Sequence, residues 1–257
     1  MNFPVMLSFG DTKFPLHAVL EFAAYFIGFR YFLYLRKNQQ DAIGTGNRIW
    51  ILIGAIFGSI IGSRIVGGLE DPTQIKIADN VLLYFYQNKT VLGGFIGGLW
   101  GVEIIKKIIK EKHSSGDLFT YPMILALIIG RIGCFSMGVH EETYGTVTSF
   151  VTGINLGDGQ LRHPVTLYEI IFLLLLWIGL VQAEKKYQLA EGARFKIFMI
   201  AYIVFRFLLD FIKPHYTFSF GLSTIQITAL IGLLYYAVVY IQHKELFLIK
   251  QIEPQTH

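Results

Sequence analysis

The chain has 257 residues, of which 53% are hydrophobic, 15% aromatic and only 16% charged. Soluble domains carry about 25% charged residues, so this composition excludes an ordinary soluble globular domain and points to a membrane protein. The net charge of +4 informs less than where the charges sit, and the single cysteine, Cys134, excludes an internal disulfide and a cysteine-cluster metal site.

Met1 to Pro15 lacks both a basic leader and a small-residue cleavage site, so the first apolar run is expected to act as its own insertion signal. Crossing the hydrocarbon layer takes roughly 20 mostly apolar residues. Seven segments meet or approach that length, at about 16–35, 49–69, 90–109, 119–138, 164–183, 196–213 and 221–242. The expected fold is therefore an all-α polytopic membrane protein of about seven transmembrane helices, forming one domain over 1–257. Tyr84, Phe85 and Tyr86, just before the third span, read as an interfacial aromatic belt.

Basic residues are unevenly shared between the connections. Arg36, Lys37, Arg48, Lys106, Lys107, Lys110, Lys112, Lys185, Lys186, Arg194, Lys196, Lys244 and Lys250 fall on one side. Lys13, Lys76, Lys89, Arg162 and Lys213 fall on the other. The positive-inside rule then places the N-terminus outside and the C-terminus in the cytoplasm. Two outer loops, about 69–89 and 139–163, are long enough to fold. In the second, Gly157-Asp158-Gly159 signals a turn and the run 146–152 is expected as a short strand.

Several charges lie where a bilayer penalises them by at least ~2.5 kcal/mol, so each needs a partner or a cavity. Arg206 and Asp210 are spaced i, i+4 and can neutralise each other on one helix face. Arg131, in "GRIGCF", has no acidic residue within a turn. Its partner comes from another span, a water-filled cavity or an anionic ligand, and the flanking Gly130 and Gly133 leave room for one. Glu21 lies in the outer part of the first span with no partner evident, whereas Glu103 can pair with Lys106 or Lys107 at a helix end. Gly93-Gly94 and Gly97-Gly98 form a stripe suited to close helix packing, or to the approach of a lipid.

"RHPVTLYE", residues 162–169, puts Pro164 at a helix start. His163 is a candidate base, or a solvated interfacial group. Arg162 and Glu169 flank it, and a planar guanidinium suits phosphate oxygens. The residues alone thus describe an outer-leaflet cluster of Arg, His and carboxylates for which an anionic membrane lipid is the simplest ligand.

Taken in order, "GRIGCF", "RHPVTLYE", "FRFLLDFIKPH" and "GLSTIQ" resemble the bacterial prolipoprotein diacylglyceryl transferase family across roughly 16–242. The resemblance implies a multi-pass protein of the bacterial plasma (inner) membrane. It would move the diacylglyceryl group of phosphatidylglycerol onto the lipobox cysteine of a preprolipoprotein signal peptide and release glycerol phosphate. No cofactor, metal or nucleic-acid partner is implied. Gly130, Arg131, Gly133 and Phe135 match the family signature, in which Arg131 contacts the headgroup. Arg206 matches a second essential arginine, with Asp210 in place of a glutamate, and His163, Pro164, Tyr168 and Glu169 match a further motif. Cys134 replaces an asparagine, the stretch to Gly145 is a few residues longer, and Leu92 replaces the histidine that is the family's favoured base. Three consequences are open. A different base serves, with Glu21, His140 or His163 as candidates; the acceptor differs; or the chain binds lipid without turnover.

Overall fold

A computed structural model describes residues 3–39, 41–242 and 248–251; Lys244, counted above, lies outside them. Its helices in chain order are α1 (Leu16–Asn38), α2 (Thr45–Gly68), α3 (Pro72–Ile77), α4 (Val81–Gln87), α5 (Val91–Ile109), α6 (Asp117–Met137), α7 (Val165–Lys186), α8 (Ala193–Asp210) and α9 (Thr224–Gln242). Each expected span coincides with a long helix. Five of them (α1, α2, α6 with the turn after it, α7 and α9) are long and apolar enough to cross a membrane. Helix α5 carries Glu103, Lys106 and Lys107, and α8 carries Arg194, Lys196, Arg206 and Asp210. Large apolar side chains cover the outside of the bundle, among them Phe22, Leu175 and Ile241. A contiguous apolar exterior of that kind marks a lipid-facing surface.

The interior is built by close approach. Along α2 and α5, Gly54 faces Gly101, Gly58 faces Gly97 and Gly62 faces Gly93. A Cβ at Gly58 would lie 2.2 Å from the Gly97 carbonyl oxygen, so this pair packs backbone against backbone. The packing reading of that glycine stripe is the one observed. Helix α1 lies against α6, with Phe32 stacked on Phe119 at 4.2 Å. Leu92, Ile124, Leu173, Phe198, Met199, Tyr202 and Ile203 are fully buried in the shared core.

The chain reverses at each connection between the long helices, which sorts their ends into two groups. At one end, Arg48 of α2 forms an ion pair with Asp41 and donates to the Ser115 carbonyl at 2.9 Å. There Tyr121 of α6 donates to Glu184 of α7 at 2.9 Å, and Asp117 accepts from the backbone of Gly192 at 2.6 Å. At the other end, Lys89 before α5 meets Glu21 of α1, and Thr224 of α9 donates to the Leu69 carbonyl after α2 at 2.6 Å. The candidate site lies at this second end.

Both expected outer loops fold, though not entirely as expected. Segment 69–89 forms α3 and α4, capped by Asp71 accepting from the Thr73 N–H and Asn80 from the Leu83 N–H. The aromatic trio lies on α4, where Phe85 packs on Gly68 and Tyr86 lies under the Arg64 guanidinium at 4.9 Å. The expected strand over 146–152 is not formed; only Val147 bridges, to Arg162. Thr148 turns that run by accepting from the Phe150 N–H through its hydroxyl. The paired strands stand instead on either side of the Gly157-Asp158-Gly159 turn.

An N-terminal hairpin of β1 (Met6–Phe9) and β2 (Thr12–Pro15) was not expected. The turn strands are β3 (Ile154–Asn155) and β4 (Leu161–Arg162), closed by Asn155 accepting from the N–H of Gly157 and of Gly159. At the opposite end, β5 (Tyr187–Leu189) pairs with β6 (Leu248–Gln251). The Val5 N–H donates to the Ser136 carbonyl at 2.8 Å and Phe3 meets Phe135 edge-on. The hairpin is thereby tied to the end of α6, and it delivers the first turn of α1 to the same place.

Candidate active site

Two buried guanidiniums share one carboxylate. Glu169, in the second turn of α7, is 2% exposed. Its Oε1 lies 2.9 Å from Nε of Arg131 on α6, and its Oε2 accepts from Nη1 of Arg206 on α8 at 3.1 Å. The Tyr202 hydroxyl, one turn before Arg206, donates to Oε1 at 2.7 Å. Burying charges requires that they be paired and hydrogen-bonded, and here three helices supply the set. Pairing remains incomplete, because Nε of Arg206 is buried without a hydrogen-bond partner, whereas Nε of Arg131 is taken up by Glu169 Oε1. The arrangement therefore holds cationic donors in reserve for the oxygens of an anion, which Arg recognises through its planar fork.

Arg206 does not pair with Asp210, contrary to one expectation. Spacing i, i+4 puts them on one face, but the carboxylate is taken by the next helix. Asp210 accepts from the Ser223 hydroxyl and stands 3.7 Å from Nδ1 of His215. That serine belongs to "GLSTIQ", which is a capping box. The Ser223 N–H donates to the Gln226 side chain and the Gln226 N–H to the Ser223 hydroxyl, both at 3.0 Å. The motif thus fixes the start of α9 and joins it to the end of α8.

Beside Arg131 lies a second cluster. Nη1 of Arg131 is 3.8 Å from Cys134 Sγ, which in turn is 4.0 Å from Oε1 of Glu141. The other oxygen of Glu141 faces Nδ1 of His17 at 3.4 Å, while Nε2 of His17 faces Glu21 at 3.5 Å. Glu21 finds its partner in Lys89, 3.0 Å away. Burial pulls the Lys89 ammonium down, but the hydrogen bond and charge of Glu21 outweigh it and hold the ammonium above its ordinary range. At Glu70, after α2, burial pushes the carboxyl above the usual range against the pull of Lys213 and Arg206.

The two glycines of "GRIGCF" have different uses. A Cβ on Gly130 would meet nothing within 4 Å, so there is open space beside it. A Cβ on Gly133 would press on His17 Nδ1 at 3.2 Å, so this glycine lets α1 approach Cys134. Gly138 then ends α6 at φ +60°, in the left-handed region that favours glycine. The turn that follows brings Glu141 back over Cys134.

Other expected site residues stand apart from these clusters. Arg162 is committed to Asp158 at 2.7 Å, the Gly145 carbonyl and the face of Tyr144. His163 lies 3.2 Å from the Tyr168 hydroxyl, with Gly145 packed on it. His140 is exposed on a single 3₁₀ turn. Gly93 is used in the α2–α5 contact, and Gly94 accepts from the Ser59 hydroxyl through its carbonyl. Leu92 is wholly buried in the apolar core. Sequence reasoning missed His17 and Tyr202. The signal for His17 was available, because it precedes Glu21 by four residues inside an apolar run.

Residues 4–242 match the model of the family described as prolipoprotein diacylglyceryl transferase. The chain belongs to that family. Among curated members of this transferase family, the phosphatidylglycerol–prolipoprotein diacylglyceryl transferase of Wolbachia pipientis from Culex pipiens (strain wPip) is 30% identical over 233 residues, spanning 84% of each chain. The enzyme of the same name from Campylobacter hominis is 30% identical over 228 residues, covering 79% of this chain and 78% of that one. That of Vibrio campbellii is 28% identical over 234 residues, covering 82% and 78%.

Proposed function

We propose that this transferase-family member moves the diacylglyceryl group of phosphatidylglycerol onto prolipoproteins, the reaction its relatives are named for, and that the acceptor atom is the lipobox cysteine thiol. One observation carries the reading: Arg131 and Arg206 are buried around a single carboxylate that cannot satisfy all their N–H donors, Nε of Arg206 being left without a partner. The headgroup phosphate docks against those donors, beside the open space at Gly130. As the C–O bond to phosphate breaks, negative charge grows on the departing glycerol phosphate, and preorganised cationic donors stabilise it. Glu169 and Tyr202 hold the two arginines in place. The acceptor thiol enters on the Cys134 side.

In this reading all seven long helices cross the bacterial plasma membrane. The charges of α5 fall near its end, and those of α8 fall near its ends and in the Arg206 cluster. The N-terminus faces outward and the end bearing Arg48, Lys106, Lys185 and Arg194 faces the cytoplasm. The site then lies in the outer leaflet, at headgroup depth. Leu92, buried where the family carries its histidine, supports a second reading: lipid binding without turnover. Complementation of a transferase-depleted strain separates them, with a reporter lipoprotein read by mass. A diacylglyceryl mass shift is expected; an unshifted reporter with normally inserted protein would refute the transferase reading.

A further inference from the structure

We propose that His17, Cys134 and Glu141 form a site for a thiophilic divalent cation, zinc by chemistry, whose open fourth position takes the acceptor thiol. The three donor atoms lie within 4.8 Å of one another. Zinc binds S at about 2.3 Å and N or O at about 2.0–2.2 Å, and tetrahedral bonds of those lengths put N and O about 3.4 Å apart and S and O about 3.6 Å apart. The His17 Nδ1–Glu141 Oε2 separation is 3.4 Å and the Cys134 Sγ–Glu141 Oε1 separation is 4.0 Å. These separations run to the two different oxygens of Glu141, so binding requires the carboxylate to turn one oxygen toward both partners and Cys134 Sγ to draw closer.

The contacts around His17 leave room for a ligand here. Nδ1 of His17 and Oε2 of Glu141 face each other at 3.4 Å as an ion pair without a well-directed hydrogen bond. A cation can replace that contact, taking both atoms as ligands. The far nitrogen of His17 is backed by Glu21, itself anchored by Lys89. A carboxylate behind a ligating imidazole is the usual arrangement around protein-bound zinc, since it fixes the ring and raises its basicity. Three protein ligands with one position open describe a catalytic rather than a structural zinc site.

The use of the site rests on the transferase reading. A cation that coordinates a thiol deprotonates it outright, so this site does the work of a general base where Leu92 stands in place of a histidine. The acceptor R–SH loses its proton to solvent as its sulfur joins the cation. The sulfur electron pair then attacks the glyceryl carbon. A C–S bond forms, the C–O bond to phosphate breaks, and that bond's electron pair leaves with glycerol phosphate onto Arg131 and Arg206. The Cys134 sulfur, 3.8 Å from Arg131, ties the two halves of the reaction together.

The test uses the full-length protein purified in detergent, stripped with chelator and titrated with cobalt(II) chloride. About one cobalt per chain is expected, from the one three-ligand set among the described residues, with a thiolate-to-cobalt charge-transfer band that zinc chloride abolishes. A lipobox peptide should intensify the band, and its Cys→Ser analogue should not. Cys134→Ser should remove the band. Glu21→Gln should weaken metal affinity about 10- to 100-fold, as expected for a partner behind the ligands. Glu141→Gln, in an outer loop, provides a ligand variant that leaves the helices untouched. Substoichiometric cobalt, or cobalt binding indifferent to Cys134→Ser and Glu141→Gln in folded protein, would overturn the site. A band that ignores the peptide would overturn its role in holding the acceptor. Cys134-dependent cobalt in a protein that never lipidates the reporter would count against the transferase reading and uphold the site.

Discussion

Oε1 of Glu169 stands 2.9 Å from Nε of Arg131, and the same carboxylate reaches Arg206 through its other oxygen. Among the described residues, Glu169 is therefore the one directly paired counter-charge for two buried cations. Glu169→Gln should destabilise the protein in detergent by about 3–5 kcal/mol, the cost of leaving buried charge unpaired. Added phosphatidylglycerol should recover much of that loss, because a phosphate can stand where the carboxylate did. Thermal unfolding with and without the lipid checks both halves.

The α2–α5 contact makes a contrast between neighbours. Gly58→Ala would put a methyl group 2.2 Å from the Gly97 carbonyl oxygen, whereas Gly94→Ala finds ordinary contacts at 3.7 Å. The first should cost about 1–3 kcal/mol through overpacking, and the second should be nearly neutral. Melting temperatures of the two variants measured side by side decide it.

At the end opposite the site, Asp41 holds Arg48 and Arg36. Burial pushes its carboxyl up, but Arg48, the Ile43 N–H and Arg36 outweigh that and hold it below the usual carboxylate range. A depressed acid stabilises the fold above its unfolded pKa of about 3.9, and that contribution is lost as pH falls through the folded value. Unfolding midpoints should therefore fall on acidification below about pH 4. Asp41→Asn should lower stability at neutral pH by about 3 kcal/mol, since Arg48 is buried, and should flatten the acid limb. An unchanged acid limb would contradict this.

Much of the bundle was legible because a helix in lipid must be long, apolar and internally hydrogen-bonded. Even the charged α8 announced itself by its flanks. The two arginines were legible for the same reason, as isolated charges in apolar runs. Their partner was not. Glu169 is 38 residues from Arg131 and 37 from Arg206, and no local spacing rule reaches so far. Local spacing in fact suggested Asp210, which instead joins Ser223 at the start of α9. His17 was hidden for a related reason. Its significance depends on a hairpin that sets the start of α1 against the end of α6, and on Gly133, which admits it. The run 146–152 had strand-forming residues, but a threonine hydroxyl turned it.

The measurement that tests the account most directly is lipidation of a reporter lipoprotein by Arg131→Ala in a transferase-depleted strain. Removing a preorganised donor from a developing anion costs about 10²–10³ in rate. The variant should therefore insert normally, since Arg206 still neutralises Glu169, yet give little or no diacylglyceryl mass shift. Lipidation at the wild-type rate would contradict the assignment of this arginine to the phosphate.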